Sequence, residues 1–185
     1  MPGLVTTFFM DGNMQIADFV KVYRHAFEPE HCSQLIDVYE NNAAKSIETP
    51  TMKFDQCTLL NNNLPTVNAV QIFLSYFDQY RRWLESRGQK YLPHTFELES
   101  LRIKRYPVNG YFKEHIDAAD RNSARRYLSA FVYLNESGGT KFFDRTIKAE
   151  AGTMVIFPPM WMFPHTGLVG KTPKYFLSTY LHFSA

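Results

Sequence analysis

The sequence predicts an α+β fold in which N-terminal helices pack on one face of an antiparallel β-sandwich or barrel. Apolar residues recur at helical spacing in two segments before about residue 95. Beyond that point, short runs rich in β-branched and aromatic residues alternate with turn residues. Helices followed by a run of strands, with no regular alternation of the two, are typical of the α+β class.

Both predicted helices begin at a proline, whose fixed φ suits the first turn of a helix. The first helix starts at Pro29 and ends near Asn41. The second starts near Pro65 and ends near Gly88, a residue type that favours the left-handed C-cap. Each helix carries one apolar stripe, which predicts a supporting element that covers a sheet and carries no chemistry.

The predicted strands are bounded by turn signals such as those at 107–110 and 135–139. We predict strands at 19–24, 52–60, 96–106, 111–116, 127–134, 141–143, 153–157, 164–169 and 174–183. Residues 1–18 are expected to be a loose lead-in or an edge strand. The chain is therefore predicted to be one domain, 1–185, with helical support at about 19–95 and a strand core at about 96–185.

Composition excludes several classes of protein. A content of 45% hydrophobic and 16% aromatic residues is enough for a buried core and argues against disorder. The net charge of +2 comes without a basic cluster, so nucleic acid is not an expected partner. Cys32 and Cys57 are expected to be free thiols. No apolar run is long enough for a membrane span and no signal peptide is evident, which predicts a cytoplasmic protein.

One short motif suggests a metal site. Residues two apart on a strand point to the same face, so His115 and Asp117 can reach one metal ion while Ile116 points into packing. His165, on a later predicted strand, is the best candidate for a third ligand. Two histidines and one carboxylate are the ligand set that non-haem Fe(II) uses when it must also bind other molecules. The motif alone is also compatible with a surface histidine and aspartate beside a turn.

The last predicted strand supports a polar cavity. Its alternation puts Lys174, Phe176, Ser178, Tyr180 and His182 on one face, and the more apolar residues between them on the other. A lysine inside a fold needs an anionic partner, and a dicarboxylate cosubstrate would supply one. A solvent-facing strand end is the alternative.

From about residue 101 to the C-terminus the sequence resembles the prolyl 4-hydroxylase group of 2-oxoglutarate oxygenases. The order and spacing of several short segments agree with that group. The matching segments are Arg105-Tyr106, Gly110 to Asp117, Tyr133-Leu134-Asn135, Gly138-Gly139-Thr140, Gly152 to Phe157, His165 and Lys174-Tyr175.

The resemblance implies a double-stranded β-helix, or jelly-roll, core with supporting N-terminal helices. It implies Fe(II) held by His115, Asp117 and His165, with 2-oxoglutarate and O2 as cosubstrates and ascorbate as reductant. The implied reaction is hydroxylation of a C–H bond, with a prolyl residue of a peptide or protein as substrate and succinate and CO2 as products.

The same resemblance assigns residues to the cosubstrate. Lys174 is expected on the distal carboxylate of 2-oxoglutarate, with Tyr133 hydrogen-bonded to that carboxylate and Tyr106 near the other end. Thr140 lies where the family has Gly-Gly-x-Thr, but this chain reads Gly-Gly-Thr-Lys. Tyr180 stands where some relatives have a tryptophan near the iron.

Other functions remain open at this stage. The same oxygenase chemistry could act on a free amino acid or another small molecule. A hydrolase or isomerase using zinc or manganese on a cupin-like barrel, or a non-catalytic jelly-roll binding module, would also fit the strand pattern. Candidates for a substrate groove are Trp161, Arg121, Arg125 and the strand at 54–60. The oligomeric state is not predicted.

Overall fold

The computed structural model describes residues 14–59 and 64–184. Most of the predicted lead-in at 1–18 lies outside these ranges, and its described end forms a 3₁₀ turn at Ile16–Phe19. Helix α1 spans Pro29–Glu40 and helix α2 spans Leu64–Ser86. Their predicted ends are confirmed: Asn41 caps α1, and Gly88 follows α2 with a positive φ of 79°.

The strands largely follow the prediction. They are β1 Lys21–Tyr23, β2 Lys45–Glu48, β3 Met52–Thr58, β4 Phe96–Leu98, β5 Arg102–Tyr106, β6 Tyr111–His115, β7 Arg126–Tyr133, β8 Gly139–Phe142, β9 Arg145–Lys148, β10 Met154–Phe157, β11 His165–Leu168 and β12 Lys174–Phe183. Two short, mostly exposed strands, β2 and β9, were not predicted. The single strand predicted at 96–106 is divided into β4 and β5.

All pairings between described strands are antiparallel, and they form one curled sheet. The order along the sheet is β1-β10-β7-β12-β5-β3-β6-β11-β8-β9, with β2 beside β3 and β4 beside β12. This arrangement confirms the expected double-stranded β-helix core. Strands from before residue 96 also join the sheet, because β1 pairs with β10 and β3 lies between β5 and β6.

Two apolar clusters stabilise the fold. The larger one lies between the helices and the sheet, where Phe73 and Tyr80 are completely buried. The smaller one lies within the curl and includes Phe131, Phe142 and Phe157. The residues of β7 alternate between the clusters, with Ala130 and Val132 in the first and Phe131 and Tyr133 in the second. The alternation therefore directs one face of each central strand into the curl, where the candidate site lies.

Two other expectations can be compared with the structure. Cys32 and Cys57 are free and buried, as predicted. Among the described residues, no helix has the length and apolar character needed to span a membrane.

Gly152 is a position where the fold requires glycine. Its φ is 79°, and a Cβ there would overlap the backbone carbonyl of Phe27. We expect Gly152→Ala to lower the free energy of unfolding by roughly 3 kcal/mol or more, since backbone strain and overpacking add. Gly88 has the same φ but open space around its Cβ position, so Gly88→Ala should cost only about 1–2 kcal/mol. Urea unfolding of both variants measures the difference, and equal losses would contradict the prediction.

Candidate metal centre and its cavity

Three predicted side chains meet at one point inside the curl. The donor atoms of His115, Asp117 and His165 all lie within 4.8 Å of one another. His115 is the last residue of β6 and His165 is the first residue of β11, and the two are register partners across the antiparallel pair. Strand pairing thus brings together two histidines that are far apart in the sequence.

Asp117 reaches the same point in a different way from that predicted. Strand β6 ends at His115, so the two-residue alternation of a strand does not extend to Asp117. The chain turns there, and the turn is held by a 3.0 Å hydrogen bond from the Ala118 N–H to the Pro159 carbonyl. Ile116, which was expected to point into packing, is partly buried and is among the residues that line the outer cavity.

Both histidines are oriented by the backbone. Nδ1 of His115 lies 2.8 Å from the carbonyl oxygen of Lys113, and Nδ1 of His165 lies 3.2 Å from that of Phe163. Because a carbonyl oxygen can only accept, each Nδ1 carries the proton and each Nε2 keeps a free lone pair. The two Nε2 atoms lie 3.6 and 3.8 Å from the carboxylate oxygens of Asp117. The lone pairs therefore face the point where a metal ion would bind.

The protonation states of the group suit metal binding. Burial alone would raise the pKa of Asp117, but the neighbouring His165, His115 and Lys104 hold it well below its usual range. Burial lowers the pKa of His165 to about 4, so its imidazole is neutral near pH 7. The Ser129 hydroxyl also donates to the Asp117 carboxylate at 3.1 Å. His165 therefore presents a neutral imidazole and Asp117 an ionised carboxylate.

Two neighbouring cavities lie beside this group, and they share His115 and Asp117. Both are lined by Lys104, Phe112, His115, Asp117 and Tyr180. The inner cavity, of about 40 Å³, is further lined by Tyr106, Ser129, Phe131, Thr140, His165, Gly167, Phe176 and Ser178. The outer cavity, of about 320 Å³, is wider and further lined by Met52, Phe54, Gln56, Arg102, Ile116 and Arg126. The predicted polar face of β12 is confirmed in part, since Phe176, Ser178 and Tyr180 line the inner cavity, whereas Lys174 and His182 are not among its lining residues.

Lys174 is buried beside the inner cavity, with 2% of its surface exposed. Its ammonium group donates to the carbonyl oxygens of Gly139 at 2.9 Å and Leu168 at 3.0 Å, and lies 4.8 Å from the ring centre of Tyr106. No acidic side chain in the described part of the chain pairs with it, and burial lowers its pKa to about 8. A buried cation whose partners are all neutral favours an anionic ligand.

Of the other two predicted cosubstrate residues, only Tyr106 contacts Lys174. Tyr106 lies opposite Lys174 in the β5–β12 pairing and lines the inner cavity. Tyr133 lies behind the lining, and its hydroxyl donates to Oγ1 of Thr140 at 2.8 Å. Thr140 does line the cavity, and because its oxygen accepts from Tyr133, its own proton is free to donate inward. Opposite Thr140, Gly167 leaves room beside the Lys174 ammonium.

The sequence prediction did not identify a charged network at the outer cavity. The carboxylate of Glu99 accepts two hydrogen bonds from Arg126, at 2.7 and 2.8 Å, and pairs with Arg102 as well. Nε2 of His182 lies 2.6 Å from the same carboxylate, so His182 belongs to this network and not to the metal group. Arg126 also donates to the Asp117 carbonyl oxygen at 2.9 Å. Arg102 lies four residues before Tyr106 on β5 and therefore on the same face of the strand. This alternation could have identified Arg102 as a cavity residue.

Of the candidates for a substrate groove, only one strand lies at the site. Phe54 lines the outer cavity together with its same-face neighbours on β3. Trp161 is 75% exposed, and Arg121 is exposed as well. Arg125 pairs with Glu97 at the surface. None of these last three residues is among the described residues that line either cavity.

The Glu99 network predicts a pH dependence of stability. Burial would raise the pKa of Glu99, but hydrogen bonds and charge from Arg126 and Arg102 outweigh it and lower the pKa from 4.5 to about 2. The stabilisation is therefore present above about pH 4.5 and is lost as the pH falls towards 2, by about 3 kcal/mol in total. Unfolding by urea between pH 6 and 3 should show a shallower decline for Glu99→Gln than for the wild type.

A matched control is Glu97→Gln. Glu97 is two residues away and half-exposed, and its pair with Arg125 should contribute under about 1 kcal/mol. This variant should keep the pH profile of the wild type. An unchanged slope in Glu99→Gln would contradict the prediction.

Comparison with known proteins agrees with this geometry. The sequence model of the 2OG-Fe(II) oxygenase superfamily matches residues 101–182, which include the two histidines, the aspartate and Lys174. Residues 101–182 are thus similar in sequence to a 2OG-Fe(II) oxygenase domain. The resemblance deduced from the sequence is confirmed, and the match favours a dioxygenase over the hydrolase and the binding module. Fe(II) and 2-oxoglutarate are the cofactor and cosubstrate that this superfamily uses.

Solved structures show that the fold is that of prolyl 4-hydroxylases. A Pseudomonas putida prolyl-4-hydroxylase has a TM-score of 0.70 at 18% identity, covering 90% of this chain and 94% of its own. A viral collagen prolyl hydroxylase from Paramecium bursaria Chlorella virus-1, solved with 2OG, has a TM-score of 0.66 at 18% identity, with coverages of 90% and 97%. A Trichoplax adhaerens prolyl hydroxylase, in complex with a hypoxia inducible factor peptide fragment, has a TM-score of 0.68 at 12% identity, with coverages of 89% and 83%. No curated protein matches the sequence.

Proposed function

We propose that the oxygenase domain, which we take to be the whole chain 1–185, hydroxylates a prolyl residue of a peptide or protein and releases succinate and CO2. The observation that supports the oxygenase chemistry is that two binding sites lie on either side of one inner cavity. Two histidines and a carboxylate lie on one side, and a buried lysine with no acidic partner among the described residues lies near the other. The first suits Fe(II) and the second suits the distal carboxylate of a dicarboxylate.

In this proposal His115, Asp117 and His165 hold the iron through two Nε2 atoms and a carboxylate oxygen. Bound Fe(II) with 2-oxoglutarate supplies, from O2, an oxidant able to remove hydrogen from an unactivated C–H bond. The backbone carbonyls at Nδ1 keep both imidazoles in the tautomer that can bind metal. Ser129 and Arg126 fix the carboxylate and the carbonyl of Asp117. We expect ascorbate to act as reductant.

Three residues would orient the cosubstrate. The Lys174 ammonium would donate to its distal carboxylate, as would the hydroxyl of Thr140, which Tyr133 holds in place. Tyr106 would contact the end nearer the metal, since it lines the inner cavity opposite Lys174 in the strand pairing. The aromatic walls of the inner cavity, Phe131 and Phe176, would exclude water from the reacting centre.

The prolyl substrate is proposed from the likeness in fold to prolyl hydroxylases and from the outer cavity. That cavity opens beside the metal group and has an apolar wall on β3, formed by Met52 and Phe54. Such a wall suits the methylene groups of a pyrrolidine ring.

The test is a two-step assay on the full chain. Under anaerobic conditions, Fe(II) and 2-oxoglutarate together should produce the visible charge-transfer absorption of the chelate. In air, succinate formation should then increase with proline-containing peptides but not with the same peptides carrying alanine instead. Peptide products should gain one oxygen atom at the proline. No absorption would contradict the oxygenase site, whereas absorption with no preference for proline would contradict only the substrate.

A further inference from the structure

Lys104 lies at the boundary of the two cavities. It is on β5, two residues from Tyr106 and on the same face, and it pairs in register with Phe176 of β12. Two residues along a strand correspond to roughly 6.6 Å, so Lys104 is displaced by that distance from the level of Tyr106 and Lys174. It lines both the inner cavity and the outer cavity. Its position is therefore beside the metal group, on the way from the proposed cosubstrate towards the opening.

The ammonium group of Lys104 has no hydrogen-bond or ion-pair partner among the residues that the structure describes. Its Nζ lies 5.2 Å from the ring centre of Phe54 and 5.7 Å from that of Phe176. A ring face attracts a cation but accepts no conventional hydrogen bond. Three N–H groups thus remain available to a molecule in the cavity.

The acidic side chains near Lys104 are paired with other groups. Glu99 already pairs with Arg126 and Arg102, so one carboxylate serves two guanidinium groups. Asp117 would bind the metal under the proposed function. A bound divalent cation more than cancels the charge of that carboxylate, which leaves the ammonium of Lys104 without a counter-charge. The 2-oxoglutarate dianion would be neutralised by the metal and by Lys174.

We propose that Lys104 binds a carboxylate of the primary substrate, so that the enzyme selects a substrate with a negative charge close to the C–H bond that it oxidises. This inference rests on the proposed function and narrows its substrate class. The carboxylate could come from two sources: the α-carboxylate of a free or C-terminal prolyl unit, or an acidic side chain next to the proline in a peptide. In both cases the ligand reaches Lys104 through the outer cavity, whose wall also carries Arg102 and Arg126.

The inference is tested by comparing the binding of paired small probes that have the same shape and differ in charge. No turnover is needed. The full-length protein is loaded with Mn(II) and 2-oxoglutarate, and the paramagnetic relaxation of probe protons is measured by NMR. The first pair is N-acetyl-L-proline and N-acetyl-L-prolinamide. The second pair is the capped dipeptides prolyl-glutamate and prolyl-glutamine. We expect the charged member of at least one pair to bind about 10-fold or more tightly than its neutral partner, and the pair that shows this identifies the source of the carboxylate.

The variants then assign the preference to one side chain. Lys104→Met should bring the ratio of the two affinities to about one, and Lys104→Arg should restore part of it. Lys148→Met, at an exposed lysine on β9, should leave the ratio unchanged. The dissociation constant of 2-oxoglutarate should change by less than about twofold in every variant.

The possible failures are distinct. Equal or undetectable binding of both members of each pair overturns the inference, as does a preference that survives in Lys104→Met. If Lys104→Met weakens 2-oxoglutarate as much as the charged probe, Lys104 serves the cosubstrate and the inference is wrong. If the wild type retains neither Mn(II) nor 2-oxoglutarate, the proposed function fails and the inference fails with it.

Discussion

His165→Ala is expected to lower the affinity for a divalent metal by at least about 100-fold and succinate formation by about 1000-fold or more. The substitution removes one of two imidazole ligands, and no other histidine of the described chain is close enough to replace it. The protein should still fold, since the lost contacts are those of one ring with His115, Phe142 and Phe157. The remaining site would keep two donor atoms and have little power to hold the ion.

Thermal unfolding with and without Mn(II) measures the loss independently of activity. A ligand that binds only the folded state stabilises it by an amount that grows with the ratio of its concentration to the dissociation constant. The unfolding temperature of the wild type should rise with added metal, while that of His165→Ala should not. His94→Ala, at a histidine away from the site, should behave as the wild type. A metal-dependent rise that persists in His165→Ala would exclude His165 as a ligand.

Lys174→Met is expected to weaken 2-oxoglutarate binding by about 100-fold. The variant keeps the length of the side chain and removes the charge that we propose binds the distal carboxylate. Stability should change much less, because removing a buried charge offsets the loss of hydrogen bonds to the Gly139 and Leu168 carbonyls. The measurement is titration calorimetry of 2-oxoglutarate into the anaerobic Fe(II) protein.

Two further variants test whether the loss of affinity is specific to the charge of Lys174. Lys174→Arg should recover part of the affinity, since the guanidinium also pairs with a carboxylate. Lys171→Met removes an exposed lysine three positions earlier and should have no effect. If 2-oxoglutarate bound Lys174→Met as well as it binds the wild type, the anion would have to be held elsewhere. Lys104 would then be the first candidate.

Much of the fold could be predicted from the sequence because its signals are local. Pro29 and Gly88 mark helix ends through their own backbone preferences, and the alternation on β12 identified the cavity face from Phe176 to Tyr180. The short strands β2 and β9 escaped prediction, since their polar, exposed residues carry no hydrophobic pattern.

The site was predictable only in part. His115 and His165 were identified as a pair, yet their meeting depends on the register between β6 and β11, which no local pattern contains. Asp117 reaches the group through a turn held by a contact with Pro159, so the strand alternation that suggested it does not apply there. Lys104 shares a face of β5 with Tyr106, so strand alternation could have assigned it to the cavity, but its neighbours there come from β3 and β12, which are distant in the chain. The roles of the metal and cosubstrate residues stay predictions.

The register between β6 and β11 also has a kinetic consequence. Its two histidines come from strands separated by β7 to β10, so the metal group can form only after the curl of the sheet has closed. Such non-local pairing is slow, typically on the scale of milliseconds to seconds for all-β topologies. Metal should therefore leave the refolding rate nearly unchanged and slow the unfolding rate, because its ligands are not yet assembled in the transition state. Metal uptake would then report the last stage of folding.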